Sequence, residues 1–276
     1  RSQPGLDPAT EAAALEQLWA ELPHVDFSRA ILEHAGRLAV VPLARSGWCD
    51  WGVPERAFQS LRGTPALEQL KAHGTKVNAR IVDVSTEANV VAGFNATLAE
   101  FGRVDSCFAN AGVSNRWKSF LDIGGEDYRR VMSINLDGMI WTMREACRHM
   151  KARAEQGDPG GSIAAGASLG AIFGAARNQD YTATKAAIIS VTNGIAVEFA
   201  RYGVRANAIL PGWVATGMTG ASQESDVFNK NVISRVPYRR WGKPDEFGGI
   251  AVYLASDAAS FHNGDSILID GGYSKF

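Results

Sequence analysis

Apolar residues follow two patterns along the chain: short continuous runs, and longer stretches in which apolar positions recur every three to four residues. The short runs indicate buried strands, and the longer stretches indicate helices that pack on one face. The pattern predicts strands at 37–41, 77–82, 104–109, 162–167, 204–210 and 266–270, and helices at 9–22, 66–73, 86–101, 127–150, 181–201 and 244–256.

The alternation of strands and helices predicts the fold class. Helices of this length act as crossover connections, which make the strands parallel and place helices on both faces of the sheet. We therefore predict an α/β doubly wound fold, with a single domain over residues 36–276 and an N-terminal helical extension over residues 1–35. Ligands of such folds bind outside the carboxyl ends of the strands, so candidate chemistry is sought there.

The composition mainly excludes other classes of protein. Apolar residues make up 46% and charged residues 21%, as in ordinary globular domains. Lys and Arg total 28 against 29 Asp and Glu, so the basic surplus of a nucleic-acid binder is absent. The three Cys and five His have no metal or disulfide spacing. With no membrane span and no recognisable signal peptide, we expect a cytoplasmic protein without metal, membrane or nucleic-acid partners.

Tyr181 and Lys185 lie four residues apart at the start of a predicted helix, and this spacing puts both on one face. A lysine cation there favours the phenolate, and it would lower the tyrosine pKa from about 10. Such a tyrosine can act as a general acid or base near neutral pH. Taken alone the pair is a weak signal, and the alternative is a partly buried Tyr beside an exposed Lys.

Further polar residues and glycines stand near the predicted strand ends. Ser168 ends a strand thirteen residues before Tyr181, where its hydroxyl could donate to a substrate oxygen. The segment from Asn110 to Gly112 ends another strand, and Pro211 with Gly212 follows a third. Asn135 lies within the predicted helix 127–150. It is either a surface residue or a buried one that holds something, such as an ordered water.

In order and register, these residues resemble the classical short-chain dehydrogenase/reductase family from about Val77 to Phe276. The resemblance implies a Rossmann-like fold and a homodimer or homotetramer, which the apolar surplus on helices 127–150 and 181–201 also favours. Each motif alone is weak, but the conjunction is specific. The matching residues are Asp83-Val84, Asn110-Ala111-Gly112, Asn135, Ser168, Tyr181 and Lys185, Pro211-Gly212 with Thr216, and Asp270-Gly271-Gly272.

The resemblance also implies roles for these residues. Tyr181 is the implied acid/base, and Ser168 polarises the substrate oxygen. Lys185 binds the nicotinamide ribose and tunes Tyr181, while Asn135 holds a water that leads protons to Lys185. The implied reaction interconverts a ketone and a secondary alcohol with NAD or NADP, the preference being undetermined. The implied cofactor contacts, besides Tyr181 and Lys185, are Asp83, Val84, Asn110, Ala111, Gly112, Pro211, Gly212, Val214 and Thr216.

The chain departs from the family where a glycine-rich turn of the form TGxxxGxG should follow the first strand. Over Pro42–Pro54 only Gly47 and Gly52 remain, with two tryptophans between them. Three explanations stay open: a remodelled loop that still binds a dinucleotide, a non-catalytic descendant that acts as a scaffold or subunit, and a local frameshift or sequence error within 42–66. The third arises because the codons for residues 48–52, read one base later, can encode Gly-Ala-Ile-Gly.

Several residues are expected near the mouth of the crevice. Aromatic and apolar side chains there suggest a substrate with an apolar part, although they could instead anchor the loop or an oligomer contact. Asn178 and Gln179 just precede Tyr181 and could touch a hydroxylated substrate, whereas Asp180 is expected to be a surface charge. The aromatic and apolar residues are Trp117, Phe173, Trp213 and Met218.

Overall fold

The computed structural model describes residues 76–115 and 118–275. The N-terminal extension, the strand at 37–41, the aberrant segment 42–66 and the helix at 66–73 lie outside the described residues, and so does Trp117. The domain boundary at residue 35 therefore stays a prediction.

The described strands form one four-stranded parallel sheet in the order β1-β2-β3-β4. Pairing runs from Ser106 opposite Ser162 to Pro211 opposite Ile269, so the carboxyl ends of the strands meet at one edge. These four strands confirm four of the six predicted ones. Their bounds are β1 Ser106–Ala109, β2 Gly161–Gly166, β3 Val204–Pro211 and β4 Ser266–Ile269.

Helices connect the strands, as the pattern predicts. The helix predicted at 86–101 ends at Gly102, whose left-handed backbone (φ 79°) lets its N–H donate to the Leu98 carbonyl at 2.8 Å. Two short helices after β3 were not predicted. The α-helices are α1 Glu87–Phe101, α2 Gly125–Met132, α3 Gly138–Glu155, α4 Gln179–Phe199, α5 Gly220–Gln223, α6 Asp226–Asn231 and α7 Gly248–Ala255.

The single helix predicted at 127–150 is wrong in one respect. Five residues, Ser133–Asp137, form a π-helical segment between α2 and α3. A π segment widens the turn locally and is common at functional sites. Apolar spacing does not reveal such a change, because both flanking helices keep their own periodicity.

The strand predicted at 77–82 is also absent: residues 76–83 have no regular secondary structure. A strand is defined by hydrogen bonds to a neighbour, and among the described residues this segment has no ladder partner. Its expected neighbours precede residue 76 and lie outside the described part of the chain.

The core lies on both faces of the sheet. Along β2, Ile163 packs with Met143 of α3 and Ile188 of α4, whereas the adjacent Ala164 packs with Leu254 of α7. Successive strand residues point to opposite faces, so helices cover both, and the doubly wound fold is confirmed. None of the helices in the part of the chain that the structure describes has the length and apolar character of a membrane span.

Candidate active site

Ser168 stands two residues beyond the end of β2, at the edge where the strands finish. Its Oγ accepts a hydrogen bond from the Gly170 N–H at 3.1 Å, which leaves its own proton free to point elsewhere. A side chain on Gly170 would meet Thr182 of α4 at 2.7 Å, so glycine allows this turn to approach the helix. The backbone therefore fixes where the Ser168 hydroxyl lies.

Tyr181 lies in the first turn of α4, and its phenol lies near the Ser168 side chain on the wall of the same cavity. Burial raises the pKa of Tyr181, and the nearby Ser168 hydroxyl opposes part of that rise. The expectation of a lowered pKa is wrong for the protein alone, because burial disfavours the charged phenolate. The phenol is therefore protonated at neutral pH.

Lys185 is buried one turn further along α4, with 4% of its surface exposed. Its Nζ donates to the Gly166 carbonyl at 2.6 Å and lies 5.5 Å from the centre of the Tyr181 ring. Burial lowers the pKa of Lys185 to about 8. A cation held beside a phenol in this way can stabilise the phenolate once it forms.

Asn135 is fully buried in the π segment. Its Oδ1 accepts from the Val113 N–H at 2.8 Å, and its Nδ2 donates to the Val113 carbonyl at 2.9 Å. These bonds hold the segment after β1 beside α4, where a Cβ on Gly112 would lie 3.4 Å from Lys185 Nζ. Of the two alternatives for Asn135, a surface residue or a buried one, the structure shows the buried one. Its side chain binds the backbone of Val113.

A buried polar network beneath Tyr181 was missed. The Asp180 carboxylate accepts from the Tyr181 N–H at 2.8 Å and from the Asn115 side-chain amide, and Arg130 donates to Asn115 Oδ1 at 2.8 Å. Asp180 is 5% exposed, so its assignment as a surface charge is wrong. The sequence contained one indication of a structural role for Asp180: it stands at the start of a predicted helix, where acidic residues stabilise the N-terminus.

The predicted cofactor residues lie in two regions, a cleft beside β1 and the loop after β3. Val84, Asn110 and Ala111 line a cleft of about 110 Å³ against Gly138, where any Cβ would lie 2.6 Å from the Val84 carbonyl oxygen. The adjacent Asp83 accepts from the Ser85 N–H and hydroxyl, which lowers its pKa.

The loop after β3 holds the other predicted cofactor residues. Pro211 and Gly212 line a larger cavity together with Ser168 and Tyr181. Val214 pairs with Gly242 instead, and Thr216 is exposed at the start of a short turn. The structure therefore brings Pro211 and Gly212, but not Val214 and Thr216, into this cavity wall.

This larger cavity has a volume of about 290 Å³. Phe173, Trp213 and Met218 line it, as predicted for the mouth of the crevice. Trp213 also packs edge-on against Phe228 at 5.1 Å, so it anchors the loop as well. Ser168 and Tyr181 place two hydroxyls on the wall of a pocket that could bind an organic molecule.

The family model described as "Enoyl-(Acyl carrier protein) reductase" matches residues 58–274. The chain belongs to the short-chain dehydrogenase/reductase family. The sequence resemblance and the predicted enzyme class are thereby confirmed. The Rossmann-like fold is confirmed too, by the parallel sheet and by solved structures of the family.

Relatives within the family are dehydrogenases and reductases. The chain is 38% identical over 208 residues to L-rhamnose 1-dehydrogenase (NAD(P)(+)) of Azotobacter vinelandii, covering 74% of this chain and 78% of the relative. It is 33% identical over 245 residues to levodione reductase of Leifsonia aquatica, covering 87% and 90%. A crystal structure of gluconate 5-dehydrogenase from Burkholderia cenocepacia, in complex with NADP and tartrate, matches with TM-score 0.71 and 31% identity, covering 76% and 80%.

Proposed function

We propose that this chain is an NAD- or NADP-dependent oxidoreductase that interconverts a ketone and a secondary alcohol, with Ser168, Tyr181, Lys185 and Asn135 as its tetrad. The observation that carries the proposal is that the Ser168 and Tyr181 side chains lie close together on one cavity wall, with buried Lys185 one helical turn away. Relatives named as dehydrogenases and reductases, one of them NAD(P)-dependent, support it.

Residues of the chain itself transfer the proton to and from the substrate oxygen. In reduction, the substrate oxygen accepts hydrogen bonds from Ser168 and Tyr181, and Tyr181 gives up its proton as the oxygen becomes a hydroxyl. In oxidation, the Tyr181 phenolate takes the proton back. Lys185 stabilises the phenolate, and Asn135 acts indirectly by positioning the segment at Val113. When bound, the nicotinamide supplies the hydride to the carbonyl carbon, or accepts it in the reverse direction.

The described residues fit a dinucleotide. The absence of a side chain at Gly112 leaves space beside Lys185 Nζ, and at Gly138 it lets the helix pack closely against Val84. Asn110 and Ala111 would line the cofactor cleft, and Lys185 has donors beyond the one it gives to Gly166. Val214 and Thr216 stay proposed contacts of the nicotinamide carboxamide, and Asp83 and Val84 of the adenine. The cytoplasmic location and the homo-oligomer also stay predictions.

Calorimetric titration with NADH and NADPH tests the cofactor. We expect one of them to bind with micromolar Kd, about −8 kcal/mol. Lys185→Met should weaken binding at least ~10-fold, because a buried cation at the site is lost. Lys151→Met, which removes an exposed lysine paired with Glu155, should change nothing. A folded protein that binds neither nucleotide would favour the non-catalytic scaffold, since segment 42–66 would then lack a phosphate site.

The pH dependence of kcat/KM for ketone reduction tests Lys185. Its cation is present below a pKa of about 8 and is lost as the pH rises through that value. Because the cation stabilises the phenolate that Tyr181 becomes, kcat/KM should be level below pH 7 and fall above pH 8. The residual activity of Lys185→Met should lack this falling limb. A wild-type profile that stays level to pH 10 would contradict the role of Lys185.

A further inference from the structure

The walls of the 290 Å³ cavity are mostly apolar. Tyr181 and Tyr273 line the cavity together with six large apolar side chains: Leu169, Phe173, Trp213, Met218, Phe228 and Val232. Among the described residues that line it, none carries a charge. A substrate carboxylate or a run of hydroxyls would lose water there without gaining enough partners, and each unpaired polar group costs free energy.

Packed aromatic rings hold the wall formed by the loop after β3. Phe228 stacks on Trp241 with ring centres 5.6 Å apart and an angle of 16°. Trp213 packs edge-on against Phe228, and against Tyr273 at 6.1 Å. Trp241 is fixed in turn by a hydrogen bond from its Nε1 to Asn229 at 2.9 Å. A wall built in this way keeps its shape and can discriminate between substrates.

Two of the hydroxyls that line the cavity are already engaged. Thr182 donates to the Gln179 carbonyl at 3.1 Å, and Thr219 donates to the Val214 carbonyl at 2.8 Å. Asn178 differs, because it is only 9% exposed and its side-chain amide has no hydrogen-bond partner within the described ranges. An amide that lines a cavity and has no protein partner is available to bind a polar group of a ligand. Besides the pair at Ser168 and Tyr181, the cavity thus offers the Asn178 amide and the hydroxyls of Ser114 and Tyr273, of which only the amide can both donate and accept through separate atoms.

We infer that the cavity takes a compact cyclic ketone or secondary alcohol with an apolar skeleton and a second oxygen that Asn178 binds. This inference rests on the proposed function and names its substrate class. The reacting oxygen lies at Ser168 and Tyr181, the ring fills the space lined by Phe173 and Met218, and the second oxygen meets the Asn178 amide. Reduction adds a hydride from NADH or NADPH to the ring carbon and a proton from Tyr181 to the oxygen; oxidation reverses both.

A panel of alcohols with NAD⁺ and NADP⁺ tests the substrate class. We expect kcat/KM for 1,4-cyclohexanediol to exceed that for cyclohexanol by ~10-fold, more than the twofold that two equivalent hydroxyls give. Both should exceed sorbitol and gluconate by at least ~100-fold. Higher kcat/KM for sorbitol or gluconate would overturn the inference while leaving the proposed function intact. If the enzyme oxidises none of them and saturation-transfer NMR detects no bound 1,4-cyclohexanedione, the inference also fails.

Three variants test the contributions of Asn178 and Phe173 to substrate preference, with Phe261 as the control. Asn178→Ala should reduce the preference for the diol over cyclohexanol to about twofold, because the second oxygen loses its partner. Phe173→Ser should lower kcat/KM for cyclohexanol ~10-fold without changing the Kd for NADH. Phe261→Ser, the same change at a fully exposed phenylalanine outside the cavity, should alter neither value. An unchanged diol preference in Asn178→Ala would overturn the role of Asn178.

Discussion

Tyr181→Phe is expected to lower kcat/KM for ketone reduction by about 10³-fold, with no loss of folding stability. The substitution removes only the hydroxyl, and a positioned general acid contributes roughly 10²- to 10⁴-fold. Ser168 keeps its hydrogen bond from the Gly170 N–H, so the cavity retains its shape. Steady-state kinetics at pH 7 measures the first effect, and thermal unfolding measures the second.

Tyr128→Phe is the matched control for this prediction. Tyr128 lies on α2 and is 47% exposed, so the loss of its hydroxyl should leave both kcat/KM and Tm unchanged. If Tyr181→Phe retained wild-type turnover, the acid/base role of Tyr181 would be refuted, whatever the substrate.

Asn135→Leu is expected to lower both stability and activity. Leucine cannot pair with the Val113 N–H and carbonyl, and each buried group left without a partner costs about 1–3 kcal/mol. The free energy of unfolding should therefore fall by about 2–6 kcal/mol, a large part of a typical total of about 5–15. At temperatures where the variant stays folded, kcat should fall more than ~10-fold, since the segment at Gly112 is no longer held beside Lys185.

Denaturant unfolding measures the stability of this variant. Asn95→Leu is its control, because Asn95 is exposed on α1 and the same change there should cost less than about 0.5 kcal/mol. Equal stabilities of the Asn135 and Asn95 variants would contradict the role assigned to the two bonds at Val113.

The sequence was sufficient to predict four strands of the sheet and the residues at its edge. Each of β1 to β4 is a short apolar run, and the crossover helices between them make the strands parallel. Ser168 and Tyr181 meet because one ends at a strand edge and the other begins the following helix. Such a placement depends on topology alone, which apolar periodicity predicts well.

The features that the sequence did not predict depend on individual contacts, which the periodicity of apolar residues does not reveal. Asp180 and Asn115 are buried because each is the other's hydrogen-bond partner, although they are 65 residues apart. The direction of the Tyr181 pKa shift was predicted wrongly because the sequence does not show how deeply the phenol is buried. The segment at 77–82 looks like a strand by composition, but a strand also needs a neighbour.

The π segment also fixes the rotational phase between α2 and α3. In an α-helix each residue turns the chain by about 100°, so removing one residue from Ser133–Asp137 would rotate α2 by about that angle relative to α3. Val131 and Met139, both buried on either side of the segment, could then no longer face the interior together. The length of this segment is therefore constrained by the packing on both sides of it, and a single-residue deletion here would be far more disruptive than most substitutions.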